Sequence, residues 1–310
     1  TRTINRKTYY NYPKIYEMLD ELQPQAVIFG DGGPGCRWVG NEAGFASATN
    51  WSFLRRGVVY PGYPQYRELQ YGHANGDQWV PAECDVSIRP GWFFHPEEDD
   101  KVKTPEQLVD LYYRSVGHNA TFLLNFPVNR EGRVSKSDST NAVLARQIID
   151  RELRDDILKG LTPKVSNTRR GQTPKSMTDD DYESFWSTAD GVTQASIEFP
   201  LRKNTKVNRM MLQEYIPLGQ RVKEFVVEYR DGKVWKPISL NEETTTIGYK
   251  RLLRFPTVIT NALRVRITAS RGPIVLSRIA AFHGGEGSDA AFATHEVRYN
   301  SSPYTLLNVD

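Results

Sequence analysis

Near residue 162 the hydrophobic period of the chain changes, and this change constrains the fold more than any other feature. Before it, apolar residues recur at helical spacing (Ile15, Met18, Leu19, Leu22) or in short runs such as AVIFGD and TFLLNFPV. Runs of that kind, separated by helical segments, are how strands buried on both faces read. After TPKVSNTRRG (162–171), segments such as QASIEFP, KEFVVEY, LLRFP and ALRVRITAS alternate apolar with polar residues, with turn signals about every ten residues. A period near 3.6 with buried strands and a period of 2 demand different layers, so the 310 residues divide into two units. The expected boundaries are 1–161 for a βα unit, 162–284 for an all-β sandwich with strands from about 166, and 285–310 for a tail in which VRY and YTLL could add a late strand.

In the first unit the expected order is helix, strand, long loop, strand, helix, strand, helix, which argues for parallel βα units. Pro24 stops the first helix, and AVIFGD follows as a buried strand. Residues 31–76 carry Gly, Pro, Asn and aromatics without periodicity, a length that marks functional loops. A strand follows around Trp79 to Ile88. Thr104, Pro105 and Glu106 then open the helix PEQLVDLYYRSVGHN. The last helix is expected from about Ser139 to Leu161. In the sandwich, Asp231-Gly232 reads as a hairpin turn.

Composition removes several function classes. Forty Lys+Arg against 37 Asp+Glu leave +3, with no basic patch suited to a nucleic-acid backbone. Two Cys and five dispersed His supply neither a disulfide framework nor a zinc ligand pair. Apolar runs are under ten residues, too short for a membrane span. Six Trp, 16 Tyr and 13 Phe tilt the reading toward sugar rings.

The loop after AVIFGD offers Asp31, Arg37, Trp38, Asn41 and Glu42: a carboxylate with an indole, an amide and a fixed positive charge nearby. Glycoside cleavage requires two carboxyl groups, one held protonated to assist the leaving oxygen. Glu42 beside Trp38 could be that acid, and an exposed loop glutamate is the equal alternative. Glu83 and Asp85, two apart on a strand, share one face, which is either the interior or solvent. In GWFFH (91–95), Trp92 is the candidate sugar-facing ring, while Phe93 and Phe94 read as core. His73, His95 and His118 read as structural, and Cys36 and Cys84 lack an activating base nearby.

QAVIFGDGGPGCRWVGNEAG, ATNWS, ECDVSIRPGWFFH and TFLLNFPVNREGRV resemble the second half of the catalytic barrel of glycoside hydrolase family 29, the α-L-fucosidases. The RWVGNE form is similar to the subfamily acting on α-1,3/4-linked fucose in Lewis-type glycans. DDDYESFW (179–186) resembles the start of carbohydrate-associated discoidin-like modules. The fold implied is the C-terminal part of a (β/α)8-like (TIM) barrel, then a galactose-binding/discoidin-like jelly roll. The resemblance implies a retaining fucosidase with Glu42 as general acid/base and with Trp92, Trp38 and Asn41 binding substrate. Glu83 and Asp85 are the alternative carboxylates. The family's nucleophile lies in a W-F-D-G-type segment absent from this sequence, so the expected partner is an N-terminal half of the same enzyme. The implied substrate is a fucosylated glycan and the implied compartment periplasmic or extracellular. No cofactor is required, although Asp179, Asp181 and Ser184 could hold a structural calcium. The competing readings are a non-catalytic glycan-binding protein and a glycoside hydrolase for another sugar.

Overall fold

Two sheets organise the chain on either side of the period change in this computed structural model, which describes residues 4–285 and 287–288. Helices α1 (Arg6–Tyr9) and α2 (Tyr12–Leu22) precede β1 (Phe29–Gly30) and β2 (Cys36–Trp38). A small antiparallel ribbon of β3 (Phe53–Leu54) and β4 (Gln78–Trp79) follows, then β5 (Ala82–Ser87), α3 (Pro105–Ser115), β6 (Ala120–Asn125) and α4 (Lys136–Glu152). Strands β1, β2, β5 and β6 form one parallel sheet in chain order.

Several sequence expectations shift. AVIFGD is not a buried strand: β1 keeps two residues, Phe29 is 44% exposed and Val27 75%, because this edge pairs with β2 alone. The segment 31–76 contains two short strands, since β2 and β3 both lie inside it. The strand expected from Trp79 to Ile88 is two, with Pro81 between β4 and β5. Helix α3 forms as expected, with Thr104 and Gln107 completing a capping box that satisfies two otherwise unpaired N–H groups. Helix α4 starts earlier and ends earlier than the apolar spacing suggests. Ser135 caps it by accepting from Asp138 N, and at its last residue Glu152 is held by an ion pair with Arg209.

The second sheet comprises β7 (Lys164–Val165), β8 (Trp186–Ser187), β9 (Ala195–Glu214), β10 (Val222–Asp231), β11 (Val234–Pro237), β12 (Arg251–Ser270) and β13 (Val275–Phe282), all antiparallel. The β10–β11 hairpin has Gly232 and Lys233 as its two loop residues, one place beyond the expected turn, and Gly232 takes φ +60°. Strands β9 and β12 are twenty residues each and pair twice, with register shifts between Arg254 and Val258 and between Thr260 and Ala262. These shifts let one pair of strands turn from one layer to the other around Trp186, Phe199, Phe225 and Phe255. The tail strand expected at VRY and YTLL lies outside the described residues.

The first five residues of β9 alternate buried and half-buried and the middle of the strand is largely exposed, but its last eight residues are all buried. Met210 and Leu212 face the sandwich core, whereas Met211, with Leu252, Ala280 and Phe282, packs on Val86, Ile88, Leu108 and Leu111. The outer face of the antiparallel sheet is thus core for the parallel unit. Polar ties accompany it: Asn50 N donates to Thr246 Oγ1 (2.8 Å), Ser52 N to Gln220 Oε1 (2.8 Å), and Arg254 pairs with Asp110. Elsewhere in the parallel unit apolar side chains are left uncovered. Ile15, Met18 and Leu22 of α2 are exposed, as is Leu123 on β6.

Candidate active site

The pleat decides which side chains of the parallel sheet share a face. Trp38 is in register with Glu83, Glu83 with Thr121, and Asp85 with Leu123, so these residues project on one side. Arg37, Cys84 and Val86 project on the other and are buried. Glu83 and Asp85 are half-buried and lie on the face turned away from α3.

Strand β2 ends at Trp38, and the chain then turns at Gly40 (φ +76°) and Gly44 (φ +82°). Both positions need glycine. A Cβ on Gly40 would sit 2.2 Å from Tyr66 O, and one on Gly44 2.7 Å from Val86 Cγ1. Between them Asn41 closes the turn on itself, with Nδ2 donating to Phe45 O (3.0 Å) and Oδ1 accepting from Ala43 N (3.0 Å). Its amide is therefore engaged in shaping the loop. Glu42 is exposed at the tip, and its Oε2 accepts the indole N–H of Trp92 at 3.0 Å.

A second indole–carboxylate pair lies alongside. Trp38 Nε1 donates to Asp85 Oδ1 at 2.8 Å, and the Trp38 ring stacks on Tyr66. Burial, with smaller contributions from Glu42 and Glu83, pushes the Asp85 carboxyl up to about 6 against the opposing hydrogen bonds. Glu83 lies 3.9 Å from Cys36 Sγ. Burial and that neighbour push the Cys36 thiol up to about 11, and burial raises Cys84 further, so neither supplies a thiolate near neutrality. Three carboxylates and two indoles, set on one face of the parallel sheet and on the loops that follow β2 and β5, can protonate a leaving group, stabilise positive charge and stack on a sugar.

The loop carrying Trp92 is fixed from below. Arg89, fully buried, donates to His95 O (3.1 Å) and pairs with Asp138 (2.8 Å), and its guanidinium lies over the Phe94 ring. Phe93 is 78% exposed and so is not core, contrary to the sequence reading. Two further candidates are structural. Asp31 accepts Gly62 N, and Arg37, 0% exposed, donates to Leu69 O (2.9 Å), Val80 O and Asn50 Oδ1 (2.7 Å). His73 and His118 are tied to Glu68 and Glu242. Sequence reasoning missed Asn125, the last residue of β6, whose Nδ2 donates to Trp92 O and Ser87 Oγ, each at 3.1 Å.

In the sandwich, Asp179 accepts Asp181 N (3.0 Å) and Ser184 Oγ–H (2.6 Å), and Asp181 accepts Glu183 N (3.0 Å). The turn is closed by its own hydrogen bonds. Among the described residues no group of three or more His, Cys, Asp or Glu side chains is placed to hold a metal ion.

Residues 163–279 match the F5/8 type C domain family. Alpha-L-fucosidase 1 of Arabidopsis thaliana is 32% identical over 88% of this chain, which covers 54% of that protein. Among solved structures, a glycoside hydrolase 29 family member from an unknown rumen bacterium aligns with a TM-score of 0.76 at 33% identity, covering 94% of this chain and 49% of that one. A Ruminococcus gnavus GH29 fucosidase, solved in complex with fucose, aligns at 0.72 and 33% identity over 81% of this chain and 51% of the other. These relatives are named as an α-L-fucosidase, a glycoside hydrolase 29 family member and a GH29 fucosidase. The chain spans about half the length of these relatives.

Proposed function

We propose that the chain is the C-terminal part of a retaining α-L-fucosidase that releases α-1,3/4-linked terminal fucose from Lewis-type glycans, with Glu42 as general acid/base. The observation that carries this reading is the exposed Glu42 carboxylate on the loop that follows the parallel strand β2, bonded to the Trp92 indole and near enough to the half-buried Asp85 to raise its carboxyl. The α-L-fucosidase relatives support the sugar; the linkage rests on the RWVGNE likeness alone.

The attacking carboxylate comes from an N-terminal half of the barrel. The exposed apolar residues on α2 and on the edge strand β6 support such a partner. In the reaction that carboxylate attacks the anomeric carbon while Glu42 protonates the departing oxygen. Glu42 then takes a proton from water as the water opens the glycosyl intermediate, the two carboxyl groups being about 5 to 5.5 Å apart. Trp92 and Trp38 bound the sugar subsite, Asn41 shapes the loop, and Asp85 and Glu83 line the floor. No cofactor takes part. A periplasmic or extracellular site of action follows from an external glycan substrate, and no described helix is long and apolar enough to cross a membrane.

The test is fucose release from a Lewis-type oligosaccharide by the 310-residue chain alone and by the protein with an N-terminal half present. Activity in the second sample only is expected. Turnover by the chain alone would put the nucleophile within it, at Asp31 or Asp85. Binding without turnover in both would favour a glycan-binding protein, and release of another sugar from a glycoside panel would change the substrate.

A further inference from the structure

Glu42 and Asn125 belong to different strand ends, yet one chain of hydrogen bonds joins them through Trp92. Asn125 Nδ2 donates to Ser87 Oγ, its register partner, and to Trp92 O at 3.1 Å, so the backbone of the GWFFH loop is set by the strand end. Arg89 holds the far end of the same loop through His95 O. With its backbone fixed at both sides, Trp92 presents Nε1–H to Glu42 Oε2 at 3.0 Å.

We propose that Asn125 and the Trp92 indole N–H act as a positioning relay that selects which oxygen of Glu42 carries the catalytic proton. A carboxylic acid has one carbonyl oxygen and one hydroxyl oxygen, and the carbonyl oxygen is the better acceptor. The indole N–H engages Oε2, so the proton resides on Oε1, which is free to meet the leaving group. The exposed glutamate, whose side chain would otherwise sample several rotamers, is held in one orientation by the same bond. Trp92 thereby has two roles, its ring as a wall for the sugar and its N–H as a partner of the acid. Asn125 acts on Glu42 only through Trp92.

Kinetics and spectroscopy test this separately. The kinetic arm rests on the fucosidase reading; the spectroscopic arm does not. In the complete enzyme, Trp92→Phe keeps a ring and removes the donor. Loss of a hydrogen bond to a charged group predicts a fall of about tenfold or more in kcat on a sugar leaving group. The expected loss is much smaller for the fucosylation step with an activated aryl fucoside, with inhibition by free fucose nearly unchanged. Asn125→Ala should show the same leaving-group pattern more weakly, and the double variant should be no worse than Trp92→Phe, because the two act in series. Equal losses on all leaving groups, or additive ones, would overturn the relay. In the 310-residue chain labelled with 15N-tryptophan, the Trp92 indole resonance should move in Glu42→Ala and in Asn125→Ala. A resonance indifferent to Glu42→Ala would refute the bond whatever the enzyme's activity.

Discussion

Replacing Glu152 by Ala should destabilise the whole chain, not one unit of it. Glu152 ends α4 and binds Arg209 of β9 through two parallel bonds, Nε to Oε2 and Nη2 to Oε1, both 3.1 Å. The Arg209 side chain is 1% exposed and that of Glu152 5%, and Tyr113 Oη–H also donates to Glu152 Oε2 at 2.8 Å. Removing one member strands a guanidinium that water does not reach, which costs about 3 to 5 kcal/mol. A native protein has about 5 to 15 kcal/mol in all, so the loss is a large share. At about 2 °C per kcal/mol for a chain of this size, the thermal midpoint should fall by about 6 to 10 °C. Glu152→Met with Arg209→Met removes both charges and should recover most of that loss, leaving mainly the Tyr113 hydroxyl unpaired. The assay is equilibrium urea unfolding followed by far-ultraviolet circular dichroism and by tryptophan fluorescence. Because Met211, Leu252, Ala280 and Phe282 are core for the parallel unit, both probes should report one shared transition in every variant. Two separated transitions, or a single-variant cost below about 1 kcal/mol, would refute the buried-pair argument.

Asp85→Asn tests the site's electrostatics. A carboxyl raised from 3.8 to about 6 on folding makes the native state bind its proton more tightly than the unfolded chain does. Stability from this group therefore falls as pH rises from about 4 to about 6 and stays low above that. Asn removes the penalty while its oxygen still accepts the Trp38 N–H. A gain of about 1 to 2 kcal/mol at pH 7, after allowance for solvent screening, should vanish below about pH 4 in pH-dependent melting curves. Gly40→Ala should lower the midpoint and, in the complete enzyme, the rate of fucose release, since φ +76° and the contact with Tyr66 O oppose any Cβ; an unchanged rate would show that the loop presenting Glu42 adapts freely. A chelator should leave the melting midpoint of the chain unchanged, given the hydrogen bonds that close the Asp179–Ser184 turn, and a clear drop would point to bound calcium there.

Local signals were readable where local chemistry decides. Thr104, Pro105 and Glu106 mark the start of α3 because the cap lies within a few residues of sequence, whereas the reciprocal bond from Gln107 appears only in the structure. The alternation of β9's first five residues is legible for the same reason, and the continuous burial from Val207 onward reflects a second core supplied by residues over a hundred positions away. Strand β2 was not legible: three residues carry no period, so Arg37 read as a loop charge when it is a fully buried hub. Glu83 and Asp85 were legible as sharing a face, but only the parallel register shows which face. Glu42 and Trp92 each stood out by motif, while the bond between them spans fifty residues and has no sequence signature. Asn125 escaped because its contribution is to another residue's backbone.

The role of Glu42 is the centre of the account, and leaving-group dependence with azide rescue tests it most directly. In the complete enzyme, Glu42→Ala or Gln should cost orders of magnitude on a Lewis trisaccharide and far less in fucosylation by an activated aryl fucoside, because a phenolate departs with little acid help. Azide should then restore turnover of the Ala variant and yield fucosyl azide of retained α configuration, with Glu83→Gln as the control. If Glu83→Gln shows that dependence while Glu42→Ala leaves trisaccharide cleavage nearly intact, the acid is Glu83 and the RWVGNE loop only binds.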